Sequence, residues 1–169
     1  MPRFRFFYDY ECPFCKRGYE DLMELIPAYP GMEIEWRPIE SHPRPERCSP
    51  HTDLCIQAFY IAEELGADIA AFHKKMFAAV AFERQNVEKT EVLAKILEDV
   101  VDGGKLQEIL KSGKYAFKVG ENNDLAYEKS DVWFVPAFRG DAEGSLKLDA
   151  KGGRGVSREG IKAFLDKCL

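Results

Sequence analysis

The sequence predicts an α/β fold in which a βαβ unit at the start and a ββα unit at the end enclose a run of helices. Three observations carry this expectation. Alternating apolar residues flank a helical stretch within the first 38 positions, the long middle section shows helical spacing alone, and strand character returns before a closing amphipathic helix.

Arg3 to Tyr8 alternates, with Phe4, Phe6 and Tyr8 on one side and the two arginines on the other, as a half-buried strand should. Asp9 to Pro13 breaks that period. From Phe14 onward Tyr19, Leu22, Met23, Leu25 and Ile26 recur at helical spacing, and Pro27 with Pro30-Gly31 closes the segment. Met32, Ile34 and Trp36 then alternate with Glu33, Glu35 and Arg37, giving a second strand that stops at Pro38. The proline-rich stretch from His42 to His51 marks a boundary.

Beyond it, Ala58, Phe59, Ile61, Ala62 and Leu65 form the first of three apolar stripes. Ile69, Phe72, Met76 and Val80 form the second, and Val92, Leu93, Ile96, Leu97 and Val100 the third. Leu106, Ile109 and Leu110 suggest a shorter fourth helix, and Tyr115 to Tyr127 a further one. Phe59, Phe72, Phe77 and Phe82 read most simply as the core of this insert. Strand character returns over Val132 to Phe138, and Leu146 with Leu148 suggests a partner strand after the Gly140 to Gly144 turn. Ser157 caps a last helix with Ile161, Phe164 and Leu165 as its stripe. The expected organisation is therefore one domain from residues 1–48 and 130–169, and a helical insert domain over 49–129.

At 169 residues, with 46% hydrophobic and 31% charged residues, the chain can bury a core without staples. A net charge of -5 offers no basic footprint for nucleic acid or an anionic membrane. A charged residue, Asp9, arrives before any signal-type apolar region, and no long apolar run follows, so the reading is of a cytoplasmic protein. In that compartment the five cysteines, at 12, 15, 48, 55 and 168, argue for reactive, metal-binding or buried thiols over a disulfide framework.

Spacing singles out Cys12-Pro13-Phe14-Cys15. Cys-x-x-Cys at a strand-to-helix junction puts both sulfurs within disulfide reach on the first turn. The partial positive charge at a helix start favours Cys12 as thiolate, and Pro13 suits the first turn because its missing N–H costs nothing there. Cys12 is then the nucleophile, and Cys15, one turn inward, resolves a mixed disulfide. The competing reading is half of a zinc site, which requires a second ligand pair.

The segment Phe6-Phe7-Tyr8-Asp9-Tyr10-Glu11-Cys12-Pro13-Phe14-Cys15 resembles the opening of DsbA-like thioredoxin-superfamily proteins. The resemblance implies a thioredoxin fold interrupted by a helical domain, and a thiol-disulfide oxidoreductase working without a cofactor. It implies protein or small-molecule thiols and disulfides as partners, glutathione among them. A second segment, Val135-Pro136, is similar to the family's cis-proline site, which implies that Pro136 faces the cysteines in the cis form and that the backbone beside Val135 pairs with a bound peptide or thiol. Phe14, apolar and expected to be exposed between the cysteines, is a candidate substrate contact. The chain also departs from the pattern. Phe14 stands where the best-known members carry histidine and Glu11 adds a negative charge, so Cys12 should be less acidic than theirs and the protein a weaker oxidant. Phe134 replaces a common glycine and Ala137 a common threonine, which changes the substrate groove.

Other residues carry blander expectations. His42, Cys48, His51 and Cys55 could form a second redox pair or a metal site, but their spacing is loose for zinc, and no metal site is expected. Cys168 reads as an incidental thiol, His73 as structural, and Lys151 to Gly155 as a turn that lacks the phosphate-loop order. Two rival functions remain. A glutathione-dependent isomerase or transferase of the hydroxychromene-carboxylate isomerase or kappa type usually has serine for the first cysteine. A zinc-binding adaptor would retain metal.

Overall fold

The computed structural model describes residues 1–47, 50–140, 146–152 and 154–169. The chain divides into two compact units, residues 1–38 with 124–169, and residues 39–123. The insert therefore begins before the proline-rich stretch, ahead of the expected boundary at 48. Ile39 is fully buried, and the Glu40 N–H donates to Asn123 Oδ1 at 3.0 Å, which ties this segment to the insert's last helix.

The first unit is built on a four-stranded sheet. Strand β1 (Arg3–Tyr8) pairs parallel with β2 (Glu33–Pro38) and antiparallel with β3 (Ala137–Arg139). Strand β4 (Lys147–Asp149) adds antiparallel to β3, giving the order β2-β1-β3-β4. Helix α1 (Pro13–Leu25) links β1 to β2, as the parallel pairing requires, and α7 (Arg158–Cys168) packs beside α1. Phe4, Phe6, Phe138 and Phe164 fill the core, with Phe4 and Phe138 ring centroids each 5.5 Å from Phe164. Phe7 is fully buried as well, because β1 is an interior strand and the simple alternation seen in the sequence underestimates its burial. The expected strand over Val132 to Phe138 shrinks to its last residues. Trp133 and Phe134 are 79% and 56% exposed, and only from Ala137 does the backbone pair with β1.

Arg139 occupies the interior of this unit, 2% exposed, although it carries a charge. Its guanidinium donates to the main-chain oxygens of Ser130 at 2.8 Å, Phe138 at 2.9 Å and Asp131 at 3.0 Å. It also pairs with Asp149 at 2.8 Å. A buried cation is tolerable only with such full satisfaction.

The second unit is helical, with α2 (Asp53–Glu64), α3 (Ile69–Phe77), α4 (Thr90–Ile96), α5 (Gly103–Ser112) and most of α6 (Ala116–Asp124). Asp68 and Asp102 cap α3 and α5 by accepting from Ala71 N–H at 3.2 Å and Lys105 N–H at 2.9 Å. Gly113, at φ +72°, ends α5 in the left-handed conformation that favours glycine. Phe59, Phe72 and Phe77 lie in the core as expected, but Phe82 is 81% exposed, because α3 runs into a π-helical turn that changes the phase of the apolar stripe. His73 is fully buried and stacks on Phe59 at 5.4 Å, and burial holds its imidazole down at about 3. Among the described residues no helix is long and apolar enough to cross a membrane.

Candidate active site

Cys12 is the N-cap of α1, in extended conformation, with Pro13 at the first helical position. Its Sγ accepts the Cys15 N–H at 3.3 Å, and its own N–H donates to the Asp9 main-chain oxygen at 3.1 Å. The sulfur thus sits where unsatisfied helix N–H groups converge, which is the local reason a Cys-Pro-x-Cys sequence after a strand poises its first thiol. Cys15 lies one turn inward and is fully buried, while Cys12 is half-buried.

Their acidities diverge accordingly. The Cys15 thiol, donating to Cys12, holds the Cys12 thiol below the ordinary cysteine value. The N–H groups of Cys15 and Phe14 add to this, against opposing effects of burial and of the Asp9 charge. Burial pushes the Cys15 thiol well above the ordinary value, and the neighbouring Cys12 and Asp9 push the same way. The acidic neighbour acting on Cys12 is therefore Asp9, where the sequence had pointed to Glu11. Asp9 is 1% exposed, and its Oδ1 accepts the Glu11 N–H at 3.1 Å, folding the carboxylate back under the turn. Sequence reasoning passed over it; the available signal was an acid placed directly after the buried run Phe6-Phe7-Tyr8.

The structure brings Val135 and Pro136 to the same place. The Val135–Pro136 peptide is cis, and the Val135 main-chain oxygen lies 4.0 Å from Cys12 Sγ. Gly18 permits this approach: a Cβ there would sit 3.3 Å from Pro136 Cγ. Phe14 is half-buried, where the sequence reading had it exposed. Its ring lies 5.3 Å beneath the Arg17 guanidinium and against Gly155, whose φ of +68° lets the backbone come this close.

The remaining candidates lie elsewhere in the chain. Cys55 is buried in α2, and Cys48 lies outside the described residues. His42 meets Glu46 at 2.9 Å, and His51 meets Glu88 at 3.1 Å. Among the described residues no group of three or more His, Cys, Asp or Glu side chains is arranged to hold a metal.

No curated protein matches the chain. Solved structures do. A probable DsbA oxidoreductase from Streptomyces coelicolor superposes with a TM-score of 0.77 at 16% identity, covering 99% of this chain and 90% of its own. A thioredoxin-like oxidoreductase from Silicibacter pomeroyi DSS-3 gives 0.67 at 21% identity, covering 98% and 84%. The cytosolic disulfide reductase DsbM from Pseudomonas aeruginosa gives 0.72 at 15% identity, covering 98% and 97%. These likenesses establish the fold, a thioredoxin-type sheet carrying a helical insert. The sequence profile of one family matches residues 4–138, from β1 through the cis-proline to β3. The chain belongs to the DSBA-like thioredoxin domain family and is a disulfide oxidoreductase of that kind.

Proposed function

We propose that Cys12 and Cys15 are the reactive dithiol, exchanging disulfides with protein or small-molecule thiols, glutathione among them. The supporting observation is the split between the two sulfurs: one half-buried at a helix start with lowered pKa, the other enclosed with raised pKa. The Cys12 thiolate attacks one sulfur of a substrate disulfide, forming a mixed disulfide and expelling the second sulfur as a thiolate that takes up a proton. Cys15 then gives up its proton and attacks Cys12. The Cys12–Cys15 disulfide forms, the mixed disulfide breaks, and the substrate leaves fully reduced with the two electrons of the dithiol. The same steps in reverse oxidise a substrate dithiol. Phe14, Val135 and Pro136 contact the substrate, with the Val135 backbone flanking its sulfur. A cytoplasmic setting is supported by the likeness to a cytosolic disulfide reductase.

Single substitutions test the roles. Cys12→Ser should abolish exchange and adduct formation, whereas Cys15→Ser should still attack and accumulate a mixed disulfide, read by non-reducing intact mass and peptide mapping. Trapping on Cys15 in the Cys12→Ser protein, with none on Cys12 in the converse variant, reverses the assignment.

A further inference from the structure

Beside the dithiol, the first unit carries a second chemical feature. A cavity of about 360 Å³ is lined by Arg17, Asp21, Arg154, Ser157 and Arg158. Arg158 is already engaged, by Glu24 at 2.6 Å and Asp21 at 3.9 Å. Arg17 and Arg154 differ from it: among the described residues neither guanidinium meets a carboxylate. The Asp21 carboxylate acts on Arg17 from one turn along without an ion pair, so in a chain of net charge -5 three arginines share one place against Asp21 and Glu24.

Arg17 is also held in a fixed orientation. Its Nη2 donates to the Arg154 main-chain oxygen at 2.9 Å while the guanidinium plane covers Phe14. Gly155 makes room for this arrangement, since a Cβ there would lie 3.0 Å from both Arg17 Nη2 and Phe14 Cβ. One N–H of the fork is committed, and the others are available to a ligand in the geometry that suits a carboxylate. By covering Phe14, the residue just before Cys15, Arg17 is placed beside the Cys12-Pro13-Phe14-Cys15 turn.

We infer that Arg17 and Arg154 form a carboxylate subsite beside the dithiol that selects short acidic thiols and disulfides. The inference rests on the dithiol reading above. No bond forms or breaks at the subsite; the guanidinium groups anchor the acid, and the anchor presents the substrate sulfur to Cys12.

The test uses the symmetrical disulfides of two blocked peptides, Glu-Gly-Cys-Gly-Glu and Gln-Gly-Cys-Gly-Gln, which offer the acid on either side of the sulfur. At low salt the reduced protein should attack the acidic peptide roughly tenfold faster than the neutral one. Net charge alone would disfavour that peptide, so the preference reports a local site. Arg17→Gln and Arg154→Gln should each shrink the ratio severalfold, as should high salt, and Arg17→Lys should restore part of the loss at that position. A ratio at or below one, or a ratio unchanged in both glutamine variants, overturns the subsite. Slow attack on both peptides by folded protein counts against the dithiol reading instead. The subsite is then read separately, from the side-chain N–H resonances of the two arginines titrated with Glu-Gly-Ser-Gly-Glu. Shifts absent with the glutamine counterpart support it, and their absence with both peptides overturns it.

Discussion

Replacing Cys15 by alanine should slow attack by Cys12 at neutral pH by roughly tenfold, while replacing it by serine should have little effect on that first step. The reason is the order of influences on the Cys12 sulfur. The donor with the largest effect is the Cys15 side chain, ahead of the main-chain N–H groups. A hydrogen bond to a charged acceptor is worth about 1.5–3 kcal/mol, and a thiol is a weak donor, which places this one near the lower end. That energy corresponds to roughly tenfold in thiolate population. Alanine removes the donor yet leaves the N–H of residue 15, at 3.3 Å, and the opposing burial and Asp9 charge in place. Serine retains an O–H that can donate from the same position. The sign follows directly: Cys12 reacts as thiolate, so losing a donor moves the inflection of its rate profile to higher pH and lowers the rate below that inflection. Alkylation of Cys12 by a neutral iodoacetamide, followed against pH and mapped by peptide mass, measures both. An alanine variant that inflects at or below the unmodified protein, or a serine variant displaced as far as the alanine one, refutes the reasoning.

Other outcomes follow from buried groups. His73 titrates at about 3 when folded, against an ordinary value of 6.5, so the unfolded chain takes up the extra proton between those values. Its contribution is fully present above pH 6.5 and is lost as pH falls toward 3; thermal unfolding should show a loss of about 3 kcal/mol by pH 4 that His73→Phe largely removes. Arg139→Met should destabilise by about 3 kcal/mol in denaturant titration, because Ser130, Phe138 and Asp131 lose their shared donor, and Arg139→Lys should recover only part of it. Replacing Cys48 and Cys55 together by serine should leave most of the disulfide reductase rate. A loss of roughly tenfold with folding intact would bring that pair into the mechanism.

The parts of the site that were legible in the sequence are those fixed by local rules. Cys12-Pro13-Phe14-Cys15 follows a strand whose alternation is plain, and a helix start imposes its own electrostatics wherever it occurs. The arrangement of strands around the insert could likewise be read from two changes of period. Other features depend on what lies across the fold, which no period records. Asp9 reads as a break in alternation, and only the covering of β1 makes it a buried charge acting on both thiols. Phe14 looked exposed because its neighbour Gly155 is far away in sequence, and Arg17, three positions on, covers it only once that turn is in place. Val132 to Phe138 has strand composition throughout, yet pairing begins only at Ala137, since backbone partners decide where a strand exists. Phe82 left the core for a related reason: it is the last residue of a π-helical turn, in which α-helical spacing no longer sets the face a side chain takes.

Arg139 bears on how this architecture tolerates change. It leaves β3 and turns back to grip the main chain at Ser130 and Asp131, so the segment carrying Trp133, Phe134 and the cis-proline is a closed loop fastened at its base by one side chain. The position of that loop is thereby a property of the sheet. A substitution within the loop, at the exposed Trp133 or Phe134, therefore leaves its fastening points at Ser130, Asp131 and Arg139 in place.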